Sequence, residues 1–184
     1  MGAGNCSKAA RLFALLEARA YVAVDISVEF LRQSLLNLQR LYPEMDLVGI
    51  GLDFSANLDL PADLPVLDGG PHLLFYPGSS IGNFAPADAL RLLREVRLAA
   101  AGGALLIGVD LVKPTAQLEA AYDDDLGVTA AFNLNLLKHL NTLLEADFDV
   151  RGWRHVALFN TAASRIEMHL EARQATTVRW PGGE

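Results

Sequence analysis

Short apolar runs alternate with amphipathic helical patterns over the first 112 residues, and this alternation constrains the fold more than any other feature. The order along the chain is helix 8–18, strand 21–26, helix 28–42, strand 47–54, strand 72–76, helix 86–101 and strand 104–110. Such an alternation predicts an α/β fold with a doubly wound, mostly parallel sheet. Ligands bind this architecture at the carboxyl ends of the strands, so residues there are the first candidates for a site.

A different pattern follows Lys113–Pro114, where we expect a domain boundary. Residues 128–145 show helical spacing, and two strand candidates then flank residues 160–164. The second candidate alternates apolar and polar residues over 166–173, which is typical of a half-solvated antiparallel pair. We therefore expect a ligand-binding domain over 1–112 and part of a second, α+β domain over 113–184.

The composition excludes several classes of protein. Apolar residues make up 52% of the chain, which is ample for a buried core. No run of about 18 apolar residues could span a membrane, so we expect no membrane partner. The formal net charge of -7 repels phosphate backbones, so we also expect no nucleic-acid partner. The single cysteine, Cys6, excludes an internal disulfide and is typical of a cytoplasmic protein. The four histidines lack the spacing of metal ligands, so we expect no metal site.

The glycine-rich segment at 2–8 precedes the first helix and indicates a nucleotide site. Gly2 and Gly4 form the beginning of a dinucleotide fingerprint, but Ser7 stands where a third glycine would complete it. Asp25 and Asp53 each end an apolar run, and Phe54 follows the second of them. A carboxylate at a strand end binds ribose hydroxyls, and an aromatic neighbour packs against a base, so the set predicts an adenosine-bearing ligand. The alternative is that Asp25 and Asp53 are ordinary loop caps.

The fourth apolar run ends in a turn that contains Gly78 and Asn83. The amide of Asn83 can donate and accept, so it could hold a polar group of a substrate. It could equally cap the helix that opens at Pro86, and the residues alone leave both interpretations open. Tyr122, taken alone, is best interpreted as an ordinary tyrosine of an amphipathic helix.

Four segments together resemble the S-adenosylmethionine-dependent histidine Nα-methyltransferases of ergothioneine biosynthesis. They are Gly2-Ala-Gly-Asn-Cys-Ser-Lys8, Val24-Asp-Ile-Ser27, Gly78-Ser-Ser-Ile-Gly-Asn83 and the segment from Ala121-Tyr-Asp-Asp to Asn135. The resemblance implies a Rossmann-like class I methyltransferase fold with part of a second substrate-binding domain. It also implies methylation of the α-amino group of L-histidine to trimethylhistidine (hercynine), with S-adenosylmethionine as the cofactor.

The resemblance assigns residues to two ligands. The residues expected to bind the cofactor are Gly2, Gly4, Lys8, Asp25, Asp53, Phe54 and Gly78. Asn83 and Tyr122 are expected to hold the histidine substrate. No residue of the chain is assigned as the catalytic base.

The chain also departs from the family, and we expect truncation at both ends. The first strand of the cofactor domain, an N-terminal substrate-contacting segment and the closing strands have no counterpart among the 184 residues. We therefore expect the chain by itself to be neither stable nor active. Two alternatives to the methyltransferase interpretation stay open: a non-catalytic fragment of the family, and an NAD-dependent oxidoreductase on a similar sheet.

Overall fold

A computed structural model of the chain describes residues 1–61, 64 and 70–183, in two compact units. Unit 1 is Met1–Asp110 and unit 2 is Leu111–Glu184. The elements of unit 1 are α1 (Ser7–Leu16), β1 (Ala20–Asp25), α2 (Val28–Leu41), β2 (Asp46–Gly51), β3 (Leu73–Tyr76), a short 3-10 turn (Ser80–Asn83), α3 (Pro86–Ala99) and β4 (Ala104–Ile107). The alternation of strands and helices expected from the sequence is therefore present.

The strands of unit 1 form two separate parallel pairs rather than one sheet. β1 pairs with β2 along its whole length, from Ala20 opposite Asp46 to Asp25 opposite Gly51. β3 pairs with β4, from Leu73 opposite Ala104 to Tyr76 opposite Ile107. Within the described residues no strand joins the two pairs, so a continuous doubly wound sheet is not observed.

A cavity of about 630 Å³ lies between the two pairs. It is lined by Ala20, Tyr21 and Val22 of β1 and by Leu73, Leu74 and Phe75 of β3. Successive side chains of a strand point to opposite faces, so a cavity lined by consecutive residues runs along the strand edges. Residues 1–3 bridge it at one end, because the backbone nitrogen of Met1 donates to Phe75 O (3.0 Å) and that of Ala3 donates to Val24 O (3.1 Å).

The helices of unit 1 cover the strand pairs through two apolar clusters. The first packs α1 and α2 against β1 and includes Phe13, Ala23 and Leu31. The second packs α3 near β3 and includes Leu92, Val96 and Tyr76. Glycine is required at Gly103, where an added methyl group would meet the backbone of His72. Since Ala104 N donates to His72 O, this contact fixes the start of the β3–β4 pair.

Unit 2 is built on one antiparallel hairpin. Its elements are α4 (Thr115–Tyr122), α5 (Val128–Leu144), a 3-10 turn (Val150–Gly152), β5 (Trp153–Asn160) and β6 (Arg165–Ala172). β5 and β6 pair over their full length, from Trp153 opposite Ala172 to Asn160 opposite Arg165. This is the antiparallel pair that period-two alternation predicts. No described helix of the chain is both long and apolar enough to cross a bilayer.

Candidate functional site

The glycine-rich turn before α1 is tied to the carboxyl end of β1 through Asp25. Gly2 and Gly4 have φ angles of 59° and 52°, a region that favours glycine. One carboxylate oxygen of Asp25 accepts from Gly4 N (2.9 Å) and the other accepts from Ser27 N (3.0 Å). Asp25 thus does cap the loop, as the alternative held. A carboxylate offers about four lone-pair sites, so two remain for hydroxyl groups of a ligand.

Phe54 lies against both the glycine turn and β3. A methyl group at Gly2 would lie 3.8 Å from Phe54 Cζ, and the Phe54 ring packs edge-on against Tyr76 at 5.6 Å. Asp53 accepts from the hydroxyl and backbone nitrogen of Ser55, and these hydrogen bonds lower the pKa of its carboxyl group. Asp53 is exposed and charged at neutral pH.

Helix α3 holds the loop that carries Asp53 and Phe54. Glu95 accepts from Leu58 N at 2.7 Å, and Arg91 donates to Ser55 O at 3.3 Å. The loop is therefore held to α3 at Ser55 and Leu58, on the C-terminal side of Phe54.

Lys8 and Gly78 come together although 70 residues separate them in the sequence. A methyl group at Gly78 would lie 4.0 Å from Lys8 Nζ. The turn after β3 is left-handed at Gly78 (φ 87°) and at Ser79 (φ 60°). It is held to the end of β4, since Ser79 N donates to Gly108 O at 3.1 Å. Lys8, Gly2, Gly4 and Gly78 all line the 630 Å³ cavity.

A second cavity, of about 440 Å³, lies above the carboxyl ends of the strands. Asp53, Phe54, Tyr76 and Asn83 line it. Asn83 is exposed at the end of the 3-10 turn, while α3 begins after Ala85 without a side-chain cap. The helix-capping alternative for Asn83 is therefore not observed, and its amide is available to a ligand.

Tyr76 is a residue that the sequence did not single out. Its side chain is 1% exposed, and its hydroxyl has no hydrogen-bond partner among the described residues. Burial raises its pKa. An unpaired buried hydroxyl costs about 1–3 kcal/mol, so a hydrogen-bond partner for this atom would stabilise the end of β3. Only the tertiary structure could reveal it, because a Phe-Tyr-Pro-Gly segment has the pattern of a strand end.

Tyr122 lies in unit 2, at the last residue of α4, with 37% of its surface exposed. It is therefore exposed from a helix end, and its backbone oxygen is 2.7 Å from His155 Nε2. The ligand assignments of all nine residues stay predictions.

The remaining reactive groups have structural roles. Cys6 is 1% exposed, and burial raises the pKa of its thiol. Asp124 accepts from Val128 N (3.0 Å) and Thr129 N (2.8 Å) at the start of α5, which lowers its pKa to about 2. No group of side chains able to hold a metal ion occurs in the part of the chain that the structure describes.

Comparison with known proteins identifies relatives of the whole chain. Residues 1–184 match the family described as histidine-specific methyltransferase, SAM-dependent. The chain is 38% identical over 97% of its length to the histidine N-alpha-methyltransferase of Mycobacterium tuberculosis (strain CDC 1551 / Oshkosh), and covers 56% of that protein. The values are the same for the histidine N-alpha-methyltransferase of Mycolicibacterium smegmatis. A 4-dimethylallyltryptophan N-methyltransferase of Arthroderma benhamiae is 27% identical over 94% of the chain.

The chain thus spans about half the length of the curated relatives that it matches, 56% of each of the first two. None of these relatives is named as an oxidoreductase, so the comparisons give no support to the nicotinamide alternative. The match extends over the glycine turn, the Asp25 strand end, the Asn83 turn and the Tyr122 segment. The chain belongs to the family of S-adenosylmethionine-dependent, histidine-specific methyltransferases.

Proposed function

We propose that the protein containing this chain transfers methyl groups from S-adenosylmethionine to the α-amino group of L-histidine, giving trimethylhistidine (hercynine). One observation carries the proposal: the turns that bear Gly2, Gly4, Asp25, Phe54 and Gly78 meet at the carboxyl ends of parallel strands. Parallel α/β sheets bind their ligands at that edge. The 38% identity to two histidine N-alpha-methyltransferases supports histidine as the acceptor.

The residues present fit the cofactor in three respects. The two spare acceptor sites of the Asp25 carboxylate suit the ribose hydroxyls. Phe54 offers a ring to the adenine, and Asp53, negatively charged beside it, can accept from the adenine amino group. Tyr76 lines the 440 Å³ cavity, and its unpaired hydroxyl would gain a hydrogen bond if a polar group of the cofactor reached it. When bound, S-adenosylmethionine supplies a sulfonium methyl group that is open to in-line attack by an amine.

The chain's own residues contribute binding and alignment. Holding an amine in line with a carbon at near-attack distance supplies much of the rate of such a displacement. The positive charge of Lys8, close to Gly78, would attract the carboxylate of a bound cofactor. Asn83 accepts from or donates to the amino acid, and Tyr122 orients it through its hydroxyl group.

The proposal includes the arrangement of unit 1 as a doubly wound, Rossmann-like sheet. One extended strand between β1 and β3, parallel to both, would join the two pairs into a continuous sheet. The hydrogen bonds of Met1 to β3 and of Ala3 to β1 support it, because one short segment, residues 1–3, bonds to the facing edges of both strands. Units 1 and 2 are then the cofactor-binding domain and a part of the substrate-binding domain.

A cytoplasmic location is part of the same proposal and rests on the single, buried cysteine.

The decisive test uses the complete gene product that contains residues 1–184. With S-adenosylmethionine and L-histidine, mass spectrometry should detect mono-, di- and trimethylated histidine. Tryptophan and 4-dimethylallyltryptophan serve as competing acceptors, because a relative at 27% identity is named for the latter. Methylation of a tryptophan derivative in preference to histidine would overturn the substrate, and no methyl transfer to either would favour the non-catalytic alternative.

Cofactor binding is tested separately with Asp25→Ala. Losing charge-assisted contacts to a ligand should weaken S-adenosylmethionine binding by roughly 10- to 100-fold in calorimetry, equivalent to roughly 1.5–3 kcal/mol. Asp46→Ala is the matched control, because Asp46 is an exposed aspartate at the opposite, amino end of the neighbouring strand β2. Equal affinities of the two variants would reject the ribose assignment.

A further inference from the structure

A chain of hydrogen bonds in unit 2 ends on the backbone of Tyr122. His155 Nε2 lies 2.7 Å from Tyr122 O, and His155 Nδ1 lies 3.0 Å from Asn133 Nδ2. The same Asn133 nitrogen donates to His169 O at 3.1 Å. The chain therefore connects β6, α5 and β5 to the end of α4, and we refer to Asn133 and His155 as the relay.

The direction of every bond in the relay is fixed by its two ends. A carbonyl oxygen only accepts, so His155 Nε2 must carry a proton to bond Tyr122 O. His169 O likewise requires the NH2 side of the Asn133 amide. The second hydrogen of that NH2 group then meets His155 Nδ1, which must be the unprotonated nitrogen. One neutral tautomer of His155, protonated on Nε2, satisfies all three bonds.

The surroundings of the relay hold it in place. Asn133 is 9% exposed within α5 (Val128–Leu144), where a polar side chain is tolerated because its amide nitrogen makes two hydrogen bonds. Helix α4 is also tied to β5 by Glu119, whose carboxylate accepts from Phe159 N at 3.0 Å. These contacts hold the end of α4 through the Tyr122 backbone and Glu119, while Tyr122 itself stays 37% exposed.

We propose that Asn133 and His155 are positioning residues that set the place of Tyr122 for the amino-acid substrate. This proposal rests on the proposed function, in which Tyr122 contacts histidine. The relay acts on the backbone of Tyr122 and leaves its hydroxyl available to the ligand. Its loss lets the end of α4 shift, so the substrate binds more weakly while cofactor binding stays the same.

Two substitutions of His155 separate its two nitrogens. The amide nitrogen of Gln reaches the position of Nε2, so His155→Gln keeps a donor for Tyr122 O. His155→Asn places its amide near Nδ1 and leaves Tyr122 O without a donor. His139→Asn is the matched control, because His139 is an exposed histidine of the same unit, on α5.

Steady-state kinetics on the complete gene product should show a split between these variants. For His155→Asn we expect the KM for L-histidine to rise about five- to tenfold, the loss of one hydrogen bond, with kcat and the Kd of S-adenosylmethionine within twofold of wild type. His155→Gln keeps the donor to Tyr122 O and loses only the acceptor for Asn133, so its KM for L-histidine should rise less than that of His155→Asn. His139→Asn should stay within twofold in all three constants. Equal KM values for His155→Asn and His155→Gln would overturn the relay.

Two further measurements keep the outcome clear. The 15N chemical shifts of His155 in the wild-type protein report its tautomer whether or not the variants fold, and a proton on Nδ1 instead of Nε2 would overturn the relay. Tyr122→Phe tests the proposed function alone. An unchanged histidine KM in that variant would show that Tyr122 does not hold the substrate. A raised KM in Tyr122→Phe with an unchanged KM in His155→Asn would reject the relay and leave the proposed function standing.

Discussion

Units 1 and 2 differ in how their strands are paired by backbone hydrogen bonds. In unit 2 each strand has one long antiparallel partner, and β5 and β6 pair over eight residues each. In unit 1 the parallel pairs β1–β2 and β3–β4 face each other across a 630 Å³ cavity, with strand edges on both sides. Hairpin strands are adjacent in sequence and need no other partner, whereas parallel strands depend on neighbours far along the chain. The residues of unit 1 that we propose to bind the cofactor lie on turns at the ends of such strands.

The largest expected effect comes from Gly103, where the β3–β4 pair begins. Gly103→Ala forces a methyl group into the backbone of His72, so we expect unit 1 to lose about 3 kcal/mol or more of its free energy of unfolding. Gly82→Ala is the control, because no atom lies within 4 Å of the added methyl group. Far-UV circular dichroism reports the loss, and the fluorescence of Trp153 and Trp180 reports unit 2 alone. A parallel shift of both signals would show that the two units unfold together.

Hydrogen exchange tests the difference between the units directly. For residues 1–184 in isolation, we expect the amides of β5 and β6 to exchange at least about tenfold more slowly than those of β1 and β3. The cross-strand hydrogen bonds of β5 and β6 join segments that are adjacent in the chain, whereas β1 and β3 pair with distant segments and each has an edge that faces the cavity. Equal protection in the two units would contradict the comparison and mean that the edges of β1 and β3 are covered. A strand added between β1 and β3 should slow amide exchange in unit 1 only.

The third prediction tests whether Asn83 in unit 1 serves the amino-acid substrate or the cofactor. Asn83→Ala in unit 1 should raise the KM for L-histidine roughly five- to tenfold in the complete gene product, since it removes about one hydrogen bond. The affinity for S-adenosylmethionine should stay near wild type in calorimetry. Tyr76→Phe is the converse case, because it removes the unpaired buried hydroxyl. It should weaken the binding of S-adenosylmethionine and leave the KM for L-histidine unchanged. Loss of cofactor binding with an intact histidine KM in Asn83→Ala would reverse the assignment.

The smallest effect concerns the acid stability of unit 2. The pKa of Asp124 in the folded chain is about 2, below its ordinary value near 3.9. Its carboxylate therefore stabilises the start of α5 above pH ~4, and this contribution is lost as the pH falls from ~4 to 2. The Tm of unit 2, followed by tryptophan fluorescence, should decline over that range.

Asp124→Ala isolates this contribution. Glu167, whose pKa is also about 2, titrates over the same range, so the wild type and the variant share its effect. We expect a Tm a few degrees lower than wild type at pH 6 and no difference at pH 2. A difference that persists unchanged at pH 2 would show that Asp124 stabilises α5 by some means other than its charge.

Local patterns of the sequence determined much of this protein. The alternation of apolar runs and helical spacing predicted the elements of unit 1, and period-two alternation predicted the β5–β6 pair. The positions of Asp25, Asp53 and Asn83 followed from the same patterns, because a residue after an apolar run lies at a strand end wherever that strand is placed. The family motifs could also be identified from the sequence, because each consists of residues that are contiguous in the chain.

Only the tertiary structure decided which of these elements meet. Strand pairing leaves an edge of β1 and an edge of β3 facing a cavity. The sequence of neither segment by itself predicts this arrangement. The unpaired Tyr76 hydroxyl is defined by what surrounds it, and so is the relay, whose members Asn133 and His155 are 22 residues apart in the chain. Hydrogen-bond satisfaction depends on the packed neighbours of a group rather than on its sequence neighbours, so no local pattern could have identified these residues.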